Sequence, residues 1–349
     1  MGSSRRRRKK TNFLPIFVII LIISITGGYF FVNGLKNPVD PKATADIEFT
    51  VPQGSGANQI GQALKAQGLI KNARYFSYFA KKNNLTDFKY GVYDLKKSDD
   101  LLTIIKRLNE GGRPEGEKVT IIEGSTIKDI AKLMEEKGIM SAQQFLDAIS
   151  DKSKFETEFD FLKQIPNGNL EGYLYPATYF FTKNEAPEEV VKKLLQQTQK
   201  VFTDNNVLNS YSRVSPKIKD LNDFITLCSI VQGESGKVDD MRKIASVFLK
   251  RLSIDMKLQS DATMQYITGE NKPRLSYDDI SSSNPYNTYK HAGLTPGPIC
   301  TPSIAAINAV LNPDDTDYLY FVADMQGNTY FSKTYEEHLA KTKEIYGEY

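Results

Sequence analysis

The stretch Phe224–Asp261 reads FITLCSIVQGESGKVDDMRKIASVFLKRLSIDMKLQSD. Phe224, Leu227, Cys228, Val231 and Glu234 recur at the spacing of one α-helical face, apolar until its last position, where a carboxylate stands. Gly233 and Gly236 bracket that carboxylate and predict the end of the helix there. A glutamate that closes a buried stripe loses water, and desolvation lifts a carboxyl pKa toward the range of a general acid. A helix-terminal glutamate in a surface salt bridge would leave the same pattern, so at this point both readings stand. Asp239 or Asp240 is placed to cap a second helix, in which Met241, Ile244, Ala245, Phe248 and Leu252 keep the helical spacing and predict core. The polar run Met256–Thr263 follows it.

At 349 residues and 40% hydrophobic composition, the chain is long enough for about two globular domains with proper cores. The formal net charge is +3, but Arg5–Lys10 alone supplies +6, so the rest of the chain carries −3. That slightly acidic body argues against nucleic acid as a partner. Two cysteines, Cys228 and Cys300, do not make a disulfide framework, and Cys228 on the apolar face reads as a small buried hydrophobe. The histidines, His291 and His338, sit in no nucleophile context, and no cluster has metal-ligand spacing, so neither a metal nor a cofactor is expected.

No charge appears from Thr11 to Leu35, and Phe13–Val32 is almost wholly apolar, long enough to span a bilayer. The basic run ahead of it orients the N-terminus inward. The expected organisation is a basic cytosolic tail over 1–12, a transmembrane helix over 13–35 and a linker over 36–46, with the remainder outside the cytoplasmic membrane.

After the linker a pattern repeats at an offset of 70 residues. Ile47–Val51 alternates as a strand, followed by Gln53-Gly54-Ser55, then Ile60, Leu64 and Gly68-Leu69 at helical spacing. Val119–Ile122, Glu123-Gly124-Ser125, Ile130, Met134 and Gly138-Ile139 repeat it. The expectation is two small related α+β units, the first of which resembles the LysM-like module that binds N-acetylglucosamine polymers. Gly54-Ser55-Gly56 imitates a dinucleotide loop, but Gln59 stands where the third glycine belongs, so no nucleotide is expected.

Asn169–Tyr179, NLEGYLYPATY, packs tyrosines, glycine and proline around Glu171; it suits either a sugar-lined groove or a core-edge strand. Glu188–Val201 reads as an amphipathic helix and Thr203–Pro216 as a loop. Tyr286–Tyr289, YNTY, precedes Gly293–Ile299, GLTPGPI, a rigid irregular loop of the kind that walls active sites or simply punctuates structure. Ile304–Leu311 reads as a helix, and Tyr318–Ala323 with Thr329–Ser332 as a hairpin around Gly327.

Taken together, LEGYLYPATY, SIVQGESG with LQSDAT, and YNTY with GLTPGPI resemble the YceG-like, endolytic murein transglycosylase family, from about residue 47 to the C-terminus. The resemblance implies an α+β fold: the LysM-like module over 47–117 and a YceG-like catalytic domain over 118–349. It places the catalytic acid on Glu234, the second position of an E-x-E-type motif whose first position here holds Gln232. It offers Glu171, Tyr173, Gln259, Asp261, Tyr286, Asn287, Thr288, Tyr289, Pro296 and Gly297 as residues that hold the sugars. The sequence departs from the family pattern at Ala177, Ala262, Thr295 and Thr301, which leaves a role for position 177 in doubt. Implied partners are peptidoglycan strands, the membrane through one helix, and the peptidoglycan synthases (penicillin-binding proteins) of the elongation or division machinery. One acid suffices for such an enzyme, because the 6-hydroxyl of N-acetylmuramic acid closes on its own C1 without water. A muramidase using Asp261 or Glu171 as its second carboxylate, or a glycan-binding scaffold, are the rival readings.

The uncharged span behind a basic run predicts that everything from Lys36 onward is extracytoplasmic. Protease added to intact protoplasts is expected to digest that part; full protection would overturn the topology.

Overall fold

The computed structural model describes residues 14–165, 169–270 and 275–347. The chain divides between Glu115 and Gly116 into two units, each with a hydrophobic core of its own.

In the first unit a helix, α1 (Leu14–Gly34), leads into β1 (Asp46–Val51), α2 (Ala57–Ala66), α3 (Ala73–Lys82), β2 (Gly91–Lys96) and α4 (Leu101–Glu110). β1 and β2 pair antiparallel, with Ile47 opposite Leu95 and Phe49 opposite Tyr93. The alternation along β1 buries Phe49 and Val51 and exposes Glu48 and Thr50. Phe49 and Val51 close on Ile60, Leu64, Phe76 and Leu108, all enclosed. Gln59, which spoils the dinucleotide pattern, serves the structure instead, since its side chain accepts from the Gly56 N–H at the start of α2 (3.0 Å).

The expected span falls in large part on residues whose side chains lie outside the described ones, and the basic tail lies wholly outside them. Among the described residues no helix is long and apolar enough to cross a membrane.

The second unit begins with β3 (Glu117–Thr120), α5 (Ile127–Glu136) and α6 (Ala142–Ile149), then continues with β4 (Thr178–Phe181), α7 (Pro187–Asp204) and α8 (Val207–Ser210). β3 and β4 pair antiparallel, so both units share a βααβ plan. The repeat is visible bond by bond. Gly54 and Gly124 turn at φ +80° and +81°, and Gly68 and Gly138 at +69° and +65°. Leu69 N–H bonds to Leu64 O at 2.9 Å and Ile139 N–H to Met134 O at 3.0 Å, the same helix ending 70 residues apart. What differs is the second connection. Eight residues separate α3 from β2, whereas 28 separate α6 from β4, and the longer one carries the tyrosine-rich stretch.

The rest of the unit is made of α9 (Leu221–Glu234), α10 (Val238–Ser253), α11 (Asp261–Thr268), α12 (Tyr277–Ser281), α13 (Ile304–Leu311), the hairpin β5 (Tyr320–Ala323) and β6 (Thr329–Ser332), and α14 (Tyr335–Tyr346); α10, α11 and α13 pack on α9 and α14 packs on the hairpin. The hairpin turns at Gly327, as its sequence predicts. α9 is buried beyond the predicted stripe: Ile225, Thr226, Ser229 and Ile230 are buried with it, because α10, α11 and α13 cover several of its sides. Two expectations need correction. Lys237, not an aspartate, occupies the N-cap of α10, while Asp239 and Asp240 lie in its first turn, where acids favour the helix dipole. The Thr203–Pro216 loop contains α8, a single turn folded onto α7.

Because each unit has its own core, Leu64→Ala is expected to lower the stability of the first unit by about 2–5 kcal/mol. In calorimetry one transition should move and the other stay; a single transition that shifts as a whole would contradict separate cores.

Candidate active site

α9 is capped by Asp220, whose side chain accepts from Asp223 N–H (2.8 Å), and ends at Glu234. From Leu221 to Val231 every residue except Asp223 is buried, so the helix delivers its last carboxylate from inside the core. Gly233 is the condition for what meets it there. A side chain on Gly233 would come within 2.7 Å of Ala262 Cβ, so only glycine lets the start of α11 lie against the end of α9. That contact sets the Ser260–Ala262 backbone beside Glu234. Ser260 Oγ donates a short hydrogen bond to Glu234 Oε1.

Glu234 as a residue keeps some exposure, while its carboxyl group is enclosed. Burial pushes its pKa up to about 7. The Ser260 hydroxyl and the Ala262 N–H pull it back down, the negative charge of Asp261 adds to the rise, and Arg251 opposes it. A carboxyl group so balanced is present in both protonation states near neutrality, as a group that must give and then accept a proton requires. Gln232, two residues earlier, is occupied elsewhere: its Oε1 accepts from Ser303 N–H (3.0 Å) at the start of α13.

A further loop is locked onto the Ser260 segment. Thr288 Oγ1 accepts from Ser260 N–H (3.0 Å) and lies 2.9 Å from Thr263 Oγ1, and Thr288 O accepts from Gln259 N–H (3.2 Å). Asn287 folds its own loop, donating to Ile280 O and Ser282 O and accepting from Tyr289 N–H. Both Asn287 and Thr288 are buried, so they hold the loop and present no surface to a sugar. The tyrosines beside them do: Tyr286 and Tyr289 are half-exposed, and Tyr289 donates a short bond to Asp261 Oδ1. Gln259, Asp261 and Pro296 are exposed, whereas Gly297 is buried under Tyr286, whose hydroxyl would lie 3.3 Å from a Cβ there. Tyr266 and Tyr286 pack ring on ring at 5.1 Å. The residues that ring Glu234 with open surface are therefore Gln259, Asp261 and Tyr289.

The LEGYLYP stretch supports this arrangement from behind. Tyr173, expected at the sugars, has no exposed surface; its hydroxyl donates to Asn222 Oδ1 (3.4 Å), and Asn222 in turn donates to Pro296 O (3.2 Å). Gly172, at φ +82°, lies so close to Pro298 that a Cβ would come within 2.5 Å of its side chain. Glu171 is buried at 4% exposure and accepts from Ile127 N–H at the start of α5 (3.0 Å). Burial pushes its pKa up to about 7 against the pull of Ile127 N–H, and Asp129 adds to the rise. It too is covered and braces the loop.

Sequence reasoning missed Ser260 and Arg251. Ser260 stands between Gln259 and Asp261, and a serine in a polar run carries no signal of its own. Arg251, 6% exposed, donates to Leu258 O (2.6 Å) and Leu319 O (2.6 Å), tying the loop before Ser260 to the hairpin. Its place among the apolar residues of α10, at an inward position, was the available clue. Cys228 and Cys300 are both free and buried, and the Cys300 thiol donates to Ser229 O. Among the described residues no group of histidines, cysteines and acids has the makings of a metal site.

Glu171 generates a stability test. A glutamate at its ordinary pKa of 4.5 loses its proton well before one raised to about 7. Below the lower value both folded and unfolded chains hold the proton; as pH rises through the higher one, the folded chain must bury a charge and stability is lost. Glu171→Gln removes that titration, so its stability relative to the wild type is expected to rise by roughly 2–4 kcal/mol between about pH 4.5 and about pH 8. Denaturant unfolding at the two pH values checks this; a difference independent of pH would mean that Glu171 is not perturbed.

The model of a family described as the YceG-like family matches residues 49–344. A Bacillus subtilis protein named endolytic murein transglycosylase is 34% identical over 334 residues, covering 92% of this chain and 91% of its own length. A protein of the same name from Streptococcus pneumoniae serotype 2 is 33% identical over 355 residues, covering 93% of this chain but 64% of its own length, so the streptococcal relative is the longer protein. The crystal structure of a yceG-like protein from Listeria monocytogenes, 33% identical, superposes with a TM-score of 0.58 over 85% of this chain and 100% of that one. By sequence and by fold, the chain belongs to the YceG-like family.

Proposed function

We propose that the chain is a lytic transglycosylase that cleaves within peptidoglycan glycan strands, with Glu234 as its acid and base. The observation that carries this reading is the Glu234 carboxyl, enclosed at the end of a core helix, bonded to Ser260 and poised at about 7. The relatives' name supplies the substrate class. In the first step, protonated Glu234 gives its proton to the oxygen joining N-acetylmuramic acid C1 to the next N-acetylglucosamine, and the C1–O bond breaks. The carboxylate left behind is the form that the Ser260 hydroxyl, the Ala262 N–H and the nearby Arg251 charge favour. In the second step, the 6-hydroxyl of the same muramic acid bonds to C1 and its proton passes to Glu234. The acid is regenerated, no water is consumed, and the strand ends in 1,6-anhydro-N-acetylmuramic acid. Gln259, Asp261 and Tyr289, open beside Glu234, are the residues placed to hold the sugars, with Tyr286 and Pro296 at the edge.

The same proposal sets the enzyme on the outer face of the cytoplasmic membrane, where synthases extend nascent strands. Its support is the uncharged run Thr11–Leu35 behind Arg5–Lys10 and the helix formed over Leu14–Gly34. The first unit, with its βααβ plan, would add affinity for glycan in the manner of a LysM module while Glu234 does the cutting. Asp261, next to Glu234, keeps a hydrolytic muramidase as the second reading.

Glu234→Gln keeps the size and removes the proton, so cleavage should fall by about 10²–10⁴-fold with the fold intact. Since the acid form starts the reaction, kcat/KM of the wild type should decline about tenfold per unit as pH rises above about 7. Mass spectrometry of digested peptidoglycan separates the two readings. Anhydro ends, one water lighter than reducing ends, are expected; reducing ends alone would make the enzyme a hydrolase with Asp261 as its second carboxylate.

A further inference from the structure

Where the chain leaves α1 it is fixed to the first unit. Lys71 Nζ donates to the carbonyl of Gly34, the last residue of the helix, at 3.0 Å. Two residues on, Lys36 O accepts from Leu101 N–H (3.0 Å), and Asp40 N–H donates to Lys97 O (3.0 Å), so the segment is laid along the stretch between β2 and α4. The Lys36 ammonium stands 5.6 Å from the centre of the Phe79 ring. The exit of α1 thus meets α3 at both ends, since Lys71 precedes its first turn and Phe79 lies in its last. α3 itself reads ARYFSYFAKK and is two-sided. Phe76 and Ala80 are buried in the core. On the flank beside Lys36, Tyr75 packs its ring 6.0 Å from that of Tyr78 and 5.8 Å from that of Phe79, and Tyr78 is 57% exposed. Arg74 and Lys82, four residues to either side of Tyr78, are exposed, and α3 holds no acid. Among the described residues neither cation is paired with a carboxylate.

We infer that α3 lies on the membrane surface, with Tyr75 and Tyr78 at the level of the lipid headgroups and Arg74 and Lys82 against their phosphates, so that the first unit is seated on the bilayer. The partner is set by where α1 ends. A helix that crosses a bilayer leaves it among the headgroups, and α3 adjoins that exit along its length. Residues 35–40, if extended, could lift the unit by about 20 Å; instead they run along its own surface and leave it no such reach. The side chains fit that level. A tyrosine ring is apolar while its hydroxyl seeks water, and such residues collect at membrane interfaces. Arginine and lysine pair with anionic lipid and let their apolar stems lie along the boundary. Neither a glycan nor a protein partner would require this face to stand at the end of α1. The inference rests on the reading of α1 as the membrane anchor.

The chain contains no tryptophan, so Tyr78→Trp puts a single reporter on this face and Tyr90→Trp puts one elsewhere. Tyr90 is 65% exposed and precedes β2, roughly 20 Å along the strand from Lys97, where the segment after α1 is tied. Each full-length variant is reconstituted into vesicles of phosphatidylglycerol and phosphatidylcholine whose acyl chains are brominated close to the headgroup. Emission of the Tyr78→Trp chain is expected to be quenched and shifted to the blue, while that of Tyr90→Trp should match its emission in unbrominated vesicles. Adding Arg74→Glu and Lys82→Glu to Tyr78→Trp should weaken the quenching; if it does not, the part given to the two cations falls. Emission of Tyr78→Trp that bromine leaves unchanged, or equal quenching in the two variants, would overturn the inference. So would quenching that chitotetraose relieves, which would make the face a glycan site. Extraction with alkaline carbonate tests the anchor separately. A chain that stays in the vesicles without quenching sinks only the seat of α3, whereas a chain that washes off sinks the anchor reading and the seat with it.

Discussion

The loss of water around one carboxyl group, at the point where a core helix ends, is the constraint on which the rest of this site depends. A helix buried on almost every side has no solvated face, so its terminal side chain inherits the low dielectric of the core. Left there alone, Glu234 would hold its proton to a higher pH. Ser260, the Ala262 N–H and Arg251 each favour the ionised form, and together with the burial and Asp261 they bring the two forms close to balance near neutrality. The geometry that allows this balance reduces to a missing methyl group at Gly233, because α11 can reach Glu234 only across that gap.

Rigidity around the carboxyl comes from polar groups that never meet solvent. Thr288 bonds the Ser260 segment, Asn287 ties down the loop that carries Thr288, and Arg251 grips the carbonyls just upstream. Each is a buried polar side chain with its partners satisfied, and such networks are costly to rearrange. The open surface of Gln259, Asp261 and Tyr289, which the proposed function gives to the sugar, is therefore already in place. Residues whose composition suggested sugar contact, Tyr173, Asn287 and Thr288 above all, turn out to be the frame behind that surface.

The duplication shows how one plan was put to two uses. Both units fold as βααβ with the same glycine turns, but in the second the connection before the last strand is 28 residues long instead of eight. That extension brings Glu171 to the start of α5 and Gly172 against Pro298, so the repeat becomes a wall of the catalytic unit. Thr301 then pairs with the repeat's first loop, which in the other copy is left open.

Patterns that depend on neighbours along the chain were legible in the sequence: the helix ending at Glu234, the strand–turn–helix repeat with Gly54 and Gly124, the hairpin at Gly327 and the helix Ile304–Leu311 follow from spacing and from glycine's freedom at positive φ. The motif blocks likewise singled out Glu234 and its open neighbours Gln259, Asp261 and Tyr289. Tertiary structure alone decided which side of each block faces water. It put Tyr173 and Asn287 inside, because hydroxyl and amide groups may be buried wherever a distant partner such as Asn222 or the Ile280 carbonyl satisfies them. It likewise recruited Ser260 and Arg251, whose roles consist of contacts with groups such as Glu234 and Leu319, 26 and 68 positions away. A hydrogen bond between such separated residues leaves no periodic trace in a single sequence, and so the carboxyl at the end of the stripe was legible there while the groups that shift its pKa were not.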